Sequence, residues 1–502
     1  MQRTPQNVTD RCSTGIEELD DVLSGGLPRH RIYVIQGDPG TGKTTLGMQF
    51  LLEGTRMNEK ALYIALSETK EELEAIAKSH GWSLDRIEVL ELSSVEEQLA
   101  AEAQNTLFHP SEVELHETTN VLLKEVERIK PARVVFDSLS EMRLLTQSPL
   151  RYRRQMLALK QFFAGRKCTV LLLDDRASEG FGLQVNTIAH GVINLEQIAQ
   201  GYGGDRRQLR VMKLRGVAFR SGIHDFDIAR GGLRVYPRLV AAEHQKEFLQ
   251  EQVSSGIREI DDLLAGGLNR GTSTLIMGPA GAGKTTLVLQ YAAAACDRGE
   301  PVASYIFDEN RGLLLQRPGE LGERIRTCEA SGLLKVHQID PAEMSPGEMA
   351  FNIRRAVERD RARMVIIDSL NGYLKAMPEA SFLILQLHEL LSYLGQQGIV
   401  TMLVLAQHGL MDMQSPADLT YLTDTVVLLR YFESNGEVKQ AVSVIKKRTG
   451  PHERTIREFG INPRGIEVGQ ALAGFRGVLT GLPMFTGPKE GVMKVDDGNG
   501  GR

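Results

Sequence analysis

Two short stretches of this sequence contain the residues of a phosphate-binding loop. Each fits the pattern G-x-x-x-x-G-K-[ST], in which glycines let main-chain N–H groups approach a phosphate, lysine pairs with the β- and γ-phosphates, and threonine reaches Mg²⁺. The predicted nucleotide-binding residues of the first loop are Gly37, Gly40, Thr41, Gly42, Lys43, Thr44 and Thr45. Those of the second loop are Gly278, Gly281, Ala282, Gly283, Lys284, Thr285 and Thr286.

The flanks of each loop have the pattern that such a loop requires. Short apolar runs, RIYVIQ at 31–36 and STLIM at 273–277, predict buried strands before the loops. Helix-forming runs, KTTLGMQFLLEG and KTTLVLQYAAAA, follow them. A helix that starts at the loop directs its partial positive charge at the bound phosphates. The loops themselves do not distinguish ATP from GTP.

An aspartate ends a later apolar strand in each half of the chain. Asp137 closes RVVFD and Asp368 closes MVIID, where the second Mg²⁺-supporting group of a P-loop enzyme belongs. The predicted metal residues are therefore Thr44 with Asp137, and Thr285 with Asp368. The alternative is that each aspartate only caps the turn that follows it.

A further set of acids follows the strand after each loop helix. Glu68 in the first half, and Asp308 with Glu309 in the second, are predicted catalytic residues, because a carboxylate there can polarise an attacking water or hydroxyl. Near Glu68, however, Thr69 and Glu72 also fit a capping box that begins a helix.

The positions of these motifs indicate a duplicated domain. The two loop lysines are 241 positions apart (284 minus 43), and the segments at 13–29 and 254–270 match at the same offset. A chain of 502 residues, 42% of them hydrophobic, is long enough to bury two cores. Alternating strand and helix patterns predict α/β domains, each a mainly parallel sheet with helices on both faces. The predicted limits are 11–240 and 252–470, with a charged linker at 241–252 and a Gly/Pro-rich, partly disordered tail at 471–502.

Composition narrows the possible partners. The net charge is −5 without a basic arm, which disfavours strong nucleic-acid binding. The four cysteines form no C-x-x-C motif, so neither a zinc site nor a disulfide framework is indicated. Apolar runs are too short for a membrane span, and the N-terminus does not fit a signal peptide, so we expect a cytoplasmic protein.

Together these motifs resemble the KaiC family, the circadian clock ATPases and autokinases, within the RecA-like P-loop superfamily. The resemblance covers residues 10–470 and includes a K-x-R motif on a late strand of each half. It implies ATP and Mg²⁺ bound at the interfaces of a homohexamer. It also implies nucleotide contacts, across those interfaces, from Lys213, Leu214, Arg215, Lys446, Lys447 and Arg448, and a nucleotide-side position for Ser79.

The sequence departs from the family pattern at two places. Where the family has two glutamates, the first half has Ser67 before Glu68 and the second has Asp308, so the first half is expected to hydrolyse ATP more slowly or through Glu68 alone. In the family's phosphorylated segment Thr420 takes the serine position and Tyr421 replaces the threonine. Thr420 is the predicted phospho-acceptor, with the alternative that it and Thr423 favour only a turn and strand.

One strand end carries different residues in the two halves. Gln407 follows the strand VTMLVLA and is a candidate γ-phosphate sensor or an ordinary strand-end cap. The sequence comparison places Asp175 in register with it, and an acid is poorly suited to sense a triphosphate.

Three functions remain open from the sequence. The first is a KaiC-like ATPase and serine/threonine autokinase whose hexamer responds to nucleotide state. The second is a RecA-like protein that remodels DNA, which the acidic net charge disfavours. The third is a signalling scaffold, without kinase activity, in which ATP is structural. The sequence does not name the signalling partners.

Overall fold

The computed structural model forms two compact units with their boundary between Arg238 and Leu239. Leu239 and Ala241 are buried in a core of the second unit, so the predicted linker 241–252 begins within that unit. The structure describes residues 11–91, 122–145, 149–176, 182–374, 380–407, 419–434, 436–478 and 484–485. The tail was predicted to be partly disordered. From residue 479 onward, all of its residues except 484–485 lie outside the described part.

The first unit is built on a sheet of nine described strands. The order across the sheet is β11-β10-β9-β8-β3-β7-β6-β4-β5, and neighbours from β8 to β5 run parallel. The strands of this unit are β1 (Arg11–Cys12), β2 (Leu27–Pro28), β3 (Ile32–Gln36), β4 (Ala61–Ala65), β5 (Ile87–Glu91), β6 (Arg133–Asp137), β7 (Thr169–Asp174), β8 (Gly191–Ile198), β9 (Arg206–Leu214), β10 (His224–Ala229) and β11 (Gly232–Tyr236). Its helices are α1 (Glu17–Val22), α2 (Lys43–Arg56), α3 (Lys70–His80), α4 (122–129), α5 (Leu139–Leu145), α6 (Pro149–Ala164) and α7 (Gly182–Ile188).

The second unit repeats this arrangement. Its sheet order is β16-β15-β17-β18-β14-β19-β20-β21-β22, parallel from β16 to β19. The strands are β12 (Gln252–Val253), β13 (Leu268–Asn269), β14 (Ser273–Gly278), β15 (Val302–Ile306), β16 (Leu334–Gln338), β17 (Met364–Asp368), β18 (Val400–Ala406), β19 (Thr425–Ser434), β20 (Glu437–Lys447), β21 (Arg457–Asn462), β22 (Gly465–Ala471), β23 (Phe475–Arg476) and β24 (Met484–Phe485). The helices are α8 (Arg258–Leu263), α9 (Lys284–Asp297), α10 (Arg311–Leu315), α11 (Gly319–Ala330), α12 (Pro346–Glu358), α13 (Leu370–Leu374) and α14 (Ala380–Gln396), after a 3-10 turn at Ala241–Glu243.

Alternation along the central strands gives each sheet two buried faces. In β3, Tyr33 and Ile35 pack into one core with helix α2, whereas Ile32 and Val34 pack into another core with helix α6. Such strands are continuous apolar runs because both of their faces are covered. The predicted fold class, two tandem RecA-like α/β domains with helices on both sheet faces, is confirmed.

Glycines begin the helix after each phosphate loop. Gly42 and Gly283 have φ angles of 98° and 94°, a left-handed conformation that side-chain-bearing residues rarely adopt. A Cβ on Gly42 would also lie 2.6 Å from Ile228 Cδ1 of strand β10. The left-handed φ angle favours glycine at this corner of the motif, and a side chain there would also displace the end of the Ile228 side chain. Among the described helices, no segment is long and apolar enough to cross a bilayer.

Candidate nucleotide-binding sites

The first phosphate loop lies between β3 and α2, at the carboxyl end of the sheet's central strand. The ammonium of Lys43 donates to the carbonyl oxygens of Gly37 at 2.7 Å and Asp38 at 3.0 Å. Its third contact is an ion pair with Asp175 Oδ1 at 2.8 Å. Since an ammonium has three N–H groups, every donor of Lys43 is used.

The predicted metal residues of the first unit lie side by side. Thr44 Oγ1 donates to Asp137 Oδ2 at 3.0 Å, and the buried Tyr63 hydroxyl donates to the same oxygen at 2.5 Å. Burial raises the pKa of Asp137, although the hydrogen bonds from Tyr63 and Thr44 oppose the shift. Hydroxyl and carboxylate oxygens are ligands that Mg²⁺ accepts, so this pair fits a magnesium–phosphate complex.

Glu68 lies close to this pair, with one carboxylate oxygen enclosed. That oxygen, Oε2, is buried and has no hydrogen-bond partner among the described residues. Burial, together with the charges of Asp137 and Glu72, raises the pKa of Glu68 to about 7, while Lys43 acts in the opposite direction. A carboxylate with a pKa near 7 is suited to accept a proton at neutral pH. The predicted capping box of Thr69 and Glu72 is also present and begins helix α3.

Asp175 follows strand β7 and is held from helix α5. Ser140 Oγ donates to Asp175 Oδ2 at 2.9 Å and accepts from the Asp175 main-chain N–H at 3.2 Å. Burial opposes ionisation of Asp175, but the hydrogen bond and charge of Lys43 outweigh it and lower the pKa. The adjacent Asp174 is fully buried and pairs instead with Arg143. Asp175 is therefore ionised and directed at the loop lysine.

The second phosphate loop has fewer contacts at its lysine. In the described part of the chain Lys284 Nζ donates to one acceptor, the Pro279 carbonyl, at 2.7 Å. Burial lowers the pKa of Lys284, and the charge of Asp368 opposes this shift. Thr285 Oγ1 donates to Asp368 Oδ2 at 2.7 Å, which repeats the threonine–aspartate pair of the first unit.

The two predicted acids of the second site have separate partners. Asp308 accepts a hydrogen bond from Ser369, the residue after Asp368. Glu309 pairs with Arg317, whose NH2 lies 2.9 Å from Glu309 Oε2. The NH1 of Arg317 also donates to Thr286 of the phosphate loop at 3.1 Å. Glu309 is thus compensated by a cation.

The strand register shows which residues of the two units are equivalent at the end of the next strand. The residues before Asp137 and Asp368 pair with Leu172 and Leu403. Three residues further on, Asp175 is therefore level with Ala406.

Matching contacts support this register. The Ala406 main chain exchanges two hydrogen bonds with the side chain of Asn371. Asp175 exchanges two with Ser140, which lies at the same distance after the metal-site aspartate as Asn371 does. The same part of each domain therefore fixes this strand end.

The prediction that Asp175 is in register with Gln407 is therefore wrong by one residue. The strands LLLD and LVLA are almost uniformly apolar, so the sequence alone does not show which residue of one strand aligns with which residue of the other. Gln407 corresponds to Arg176, which pairs with Glu196. Gln407 itself lies beside the second loop, since its N–H donates to the Gly278 carbonyl at 3.0 Å. Its side-chain Oε1 is buried and has no partner in the described part.

The basic residues of the K-x-R motifs lie at the opposite end of each sheet from the phosphate loop. Arg448 N–H donates to Asp424, whose own N–H donates to Ser273 at the start of β14, whereas the loop begins at Gly278. Five strand residues separate these levels, roughly 16 Å. Arg215 is likewise joined through His190 to Ile32, the first residue of β3.

A β-bulge precedes the lysine of each motif. The register shifts between Val192 and Ile193 in the first unit and between Val426 and Val427 in the second. Bulges redirect side chains locally. Lys213 Nζ donates to the Asn186 carbonyl at 2.5 Å, in the helix that precedes β8.

Three residues that were predicted to contact nucleotide have side chains that contact their own domain. Leu214 is buried in the first core, and the ammonium of the buried Lys447 donates to the carbonyl oxygens of Leu264 and Gly267. The side chains of Leu214 and Lys447 are therefore engaged within their own domain. Ser79 is exposed and donates to Ile76 of its own helix at 2.7 Å.

The predicted acceptor segment lies against the second K-x-R motif. Lys446 Nζ donates to the carbonyl oxygens of Thr420 and Thr423, at 2.6 and 2.5 Å. Arg448 NH2 donates to the carbonyl of the exposed Tyr421 at 2.7 Å. Thr420 and the basic pair therefore occupy one edge of the second unit.

Three site residues were missed by sequence reasoning. Tyr63 occurs within an apolar strand, a pattern that predicts a core residue. Ser140 and Arg317 lie outside recognised motifs, and their roles depend on contacts distant in sequence. A serine at the third position after Asp137, with Asn371 at the same place after Asp368, was the one available signal.

A phosphate loop after the central strand, with a threonine–aspartate pair on the neighbouring elements, defines a P-loop nucleotide-binding site, and the described part of this chain has two. The family model described as "ATPase: KaiC" matches residues 12–240 and 253–473. The chain therefore belongs to the KaiC family and is a KaiC-family ATPase with two ATPase domains.

Curated relatives match across nearly the whole chain. The circadian clock oscillator protein KaiC of Parathermosynechococcus lividus is 26% identical over 485 residues, which cover 94% of this chain and 87% of the relative. The KaiC of Nostoc sp. is 26% identical over 492 residues, covering 96% and 93%. The circadian clock protein KaiC3 of Synechocystis sp. is 25% identical over 487 residues, covering 96% of each chain.

Proposed function

We propose that this protein is a cytoplasmic homohexameric ATPase whose second domain also phosphorylates its own chain on a threonine. Both phosphate loops bind ATP with Mg²⁺, and the nucleotide state of the ring is the signal read by protein partners. The proposal takes from the KaiC relatives the chemistry that their family carries, and from this chain the residues that perform it.

Each residue of a site has a defined task in this proposal. The loop glycines and N–H groups of 37–44 and 278–285 bind the phosphates, and Lys43 and Lys284 pair with their charge. Thr44 with Asp137, and Thr285 with Asp368, hold Mg²⁺, which neutralises charge on the phosphate oxygens when bound. Glu68 in the first site accepts the proton of the attacking water.

In the second site the acids serve phosphoryl transfer. Asp308 is the candidate base for the threonine hydroxyl, and Ser369 fixes its carboxylate by a hydrogen bond. Glu309 and Arg317 brace the site beside Thr286. Thr420 is the proposed acceptor, because Lys446 and Arg448 hold its segment at the edge of the domain.

The observation that carries the proposal is the position of the basic pairs. Arg448 lies at the level of Ser273, five residues along the sheet from the loop of its own domain. That separation is roughly 16 Å, which exceeds the reach of its side chain. Residues that contact nucleotide from this edge must therefore serve a neighbouring copy. A heterologous contact of this kind, repeated head to tail, generates a ring when its rotation closes. Arginine supplied across an interface stabilises charge on transferring phosphate.

A mixing experiment tests this assignment. Two full-length variants, Lys284→Ala and Arg448→Ala, are prepared with Glu68→Gln in both, so that the first site does not hydrolyse ATP. In a ring of one variant, every second-domain interface lacks either the loop lysine or the arginine. After equimolar mixing and subunit exchange, about one quarter of the interfaces combine an intact loop with an intact arginine. We expect about that fraction of the activity, measured with γ-labelled ATP as released and protein-bound phosphate, with phosphopeptide mapping at Thr420.

A matched control and a contradicting result complete the test. Arg258→Ala removes an exposed arginine that pairs with Asp262 on helix α8, and it should leave activity unchanged. Size measurement with and without ATP shows that rings form, and co-purification of the second variant with an affinity-tagged first variant establishes that both chains occur in one ring. A mixed ring that stays inactive, or an Arg448→Ala variant that is fully active alone, would contradict the assignment across subunits.

A further inference from the structure

The lysine of the first phosphate loop has an acidic partner that the second loop lacks in the described part of the chain. Lys43 is saturated by two loop carbonyls and by Asp175, at 2.8 Å. Lys284 donates to a single acceptor among the described residues of its domain. In register, Ala406 stands where Asp175 stands. At this strand end the first site thus has an acid in contact with the lysine that pairs with the outer phosphates, and the second site has an alanine.

Hydrogen bonds from helix α5 hold Asp175 in this position. Ser140 contacts both its carboxylate and its main-chain N–H, and Asn371 holds the main chain of Ala406 at the equivalent place. The neighbouring acid, Asp174, pairs with Arg143. The strand end is therefore fixed in both domains, while the acid occurs only in the first.

From this contact we propose that Asp175 determines nucleotide preference, shifting the first site toward a nucleoside diphosphate relative to the second site. The inference rests on the proposed function, in which both sites bind adenine nucleotides. A P-loop lysine pairs with the β- and γ-phosphates. Asp175 neutralises that lysine and adds a negative charge where the γ-phosphate of a triphosphate would bring another. A diphosphate lacks that group and meets less repulsion.

The exposure of Asp175 allows it to weaken triphosphate binding without preventing it. Its side chain is 40% exposed, whereas that of Lys43 is 9% exposed. The carboxylate can therefore turn into solvent when a triphosphate binds, and it can return when the γ-phosphate has gone. The first site consequently binds the triphosphate more weakly but still binds it, and it retains the hydrolysis product.

The test compares two nucleotides at one site at a time. The full-length protein carrying Lys284→Ala reports the first site, and calorimetric titration with Mg²⁺ uses ADP and adenylyl imidodiphosphate, a non-hydrolysable triphosphate. Asp175→Asn removes the charge with little change of shape. We expect it to raise triphosphate affinity relative to ADP affinity by roughly tenfold, the lower end of the coupling between close charge pairs.

The reciprocal variant keeps the inference open to refutation if Asp175→Asn fails to fold. Ala406→Asp, in a Lys43→Ala chain, installs the acid at the second site and should lower the same ratio there by roughly tenfold. Equal changes for both nucleotides, or unchanged ratios at both sites, would overturn the inference and leave the proposed function intact. If neither nucleotide binds the first site, with or without Asp175→Asn, the proposed function fails together with it.

Discussion

The two ATPase domains have the same loop and the same threonine–aspartate pair, but they surround these groups with different charges. In the first domain Lys43 is paired with Asp175, and Glu68 has a buried carboxylate oxygen that no described residue contacts by a hydrogen bond. In the second domain Glu309 is paired with Arg317, and Lys284 has a single acceptor in the described part. The ion pair therefore involves the loop lysine in the first domain and the acid after strand β15, Glu309, in the second domain.

The different ion pairs show where the two duplicated sites have diverged. The loop itself tolerates little change, because its glycines and its lysine are fixed by the phosphate geometry. The residues that contact these groups differ between the two domains, and they set how much positive charge bound phosphates would meet and how basic the neighbouring carboxylate is. A neutralised lysine and a basic Glu68 fit the hydrolysis with product retention that we propose for the first site. A lysine with fewer contacts fits the phosphoryl donation that we propose for the second.

The largest expected effect comes from removing each lysine in turn. Lys284→Ala should reduce phosphate transfer to the protein by about a thousandfold, because it removes a preorganised positive charge from the phosphoryl donor site. Lys43→Ala, the equivalent change, should leave transfer largely intact and instead weaken ATP-dependent assembly. Labelled phosphate on the protein and the size of the ring are the two measurements. Labelled phosphate that persists on Lys284→Ala would show that the second loop is not the donor site.

The proposed catalytic acids give the next largest effect. Glu68→Gln should lower hydrolysis at the first site by about a hundredfold with ADP affinity unchanged, as expected for loss of a general base. Asp308→Asn should slow phosphate transfer in the second domain by a similar factor. Single-turnover rates and calorimetric affinities, measured on the same preparations, check both. If either substitution weakens binding as much as it slows the reaction, its residue is a binding group and not the base.

A pH profile sharpens the comparison further. Burial and the charges of Asp137 and Glu72 raise the pKa of Glu68 to about 7. Below that pH the carboxyl is protonated and cannot accept a proton, so kcat/KM of the first site should fall about tenfold for each pH unit. The measurement uses the Lys284→Ala chain, so that only the first site turns over ATP. A profile that stays flat over about two pH units below that pKa would exclude Glu68 as the base.

The sequence predicts the elements that hold the sites, because these depend on local patterns. Apolar runs mark β3 and β14, the glycine loops mark the starts of α2 and α9, and Thr69 with Glu72 marks the start of α3. The recurrence of each motif also predicts the duplicated fold. Each of these signals occupies a few adjacent residues and requires no knowledge of distant contacts.

The charges around the sites could not be predicted in this way. The pairing of Lys43 with Asp175 joins residues 132 positions apart (175 minus 43), and the equivalence of Asp175 depends on strand register, which a one-residue error reverses. The pairing of Glu309 with Arg317 depends on the loop between α10 and α11. Sequence therefore predicts which groups could do chemistry, and three-dimensional contacts determine the charge environment of each group.

The smallest expected effect concerns Tyr63, which contacts the proposed magnesium pair of the first domain and has no tyrosine counterpart in the second. Its hydroxyl donates to Asp137 Oδ2 at 2.5 Å, and Ser304 occupies the corresponding position of β15. Tyr63→Phe keeps the ring in the core but removes the hydrogen bond that orients the carboxylate. Because one hydrogen bond contributes about 1 kcal/mol, we expect Mg²⁺-dependent nucleotide affinity at the first site to fall about fivefold.

The matched change in the second domain, Ser304→Ala, should leave nucleotide affinity there unaltered. Calorimetric titration of ADP over a series of Mg²⁺ concentrations measures both effects, with Lys284→Ala isolating the first site and Lys43→Ala the second. Thermal unfolding of the Tyr63→Phe chain separates a local effect from a loss of stability, since Tyr63 is buried and its hydroxyl shares the Asp137 carboxylate with Thr44. An unchanged affinity in Tyr63→Phe would mean that Thr44 alone orients Asp137, and the two magnesium pairs would then be equivalent.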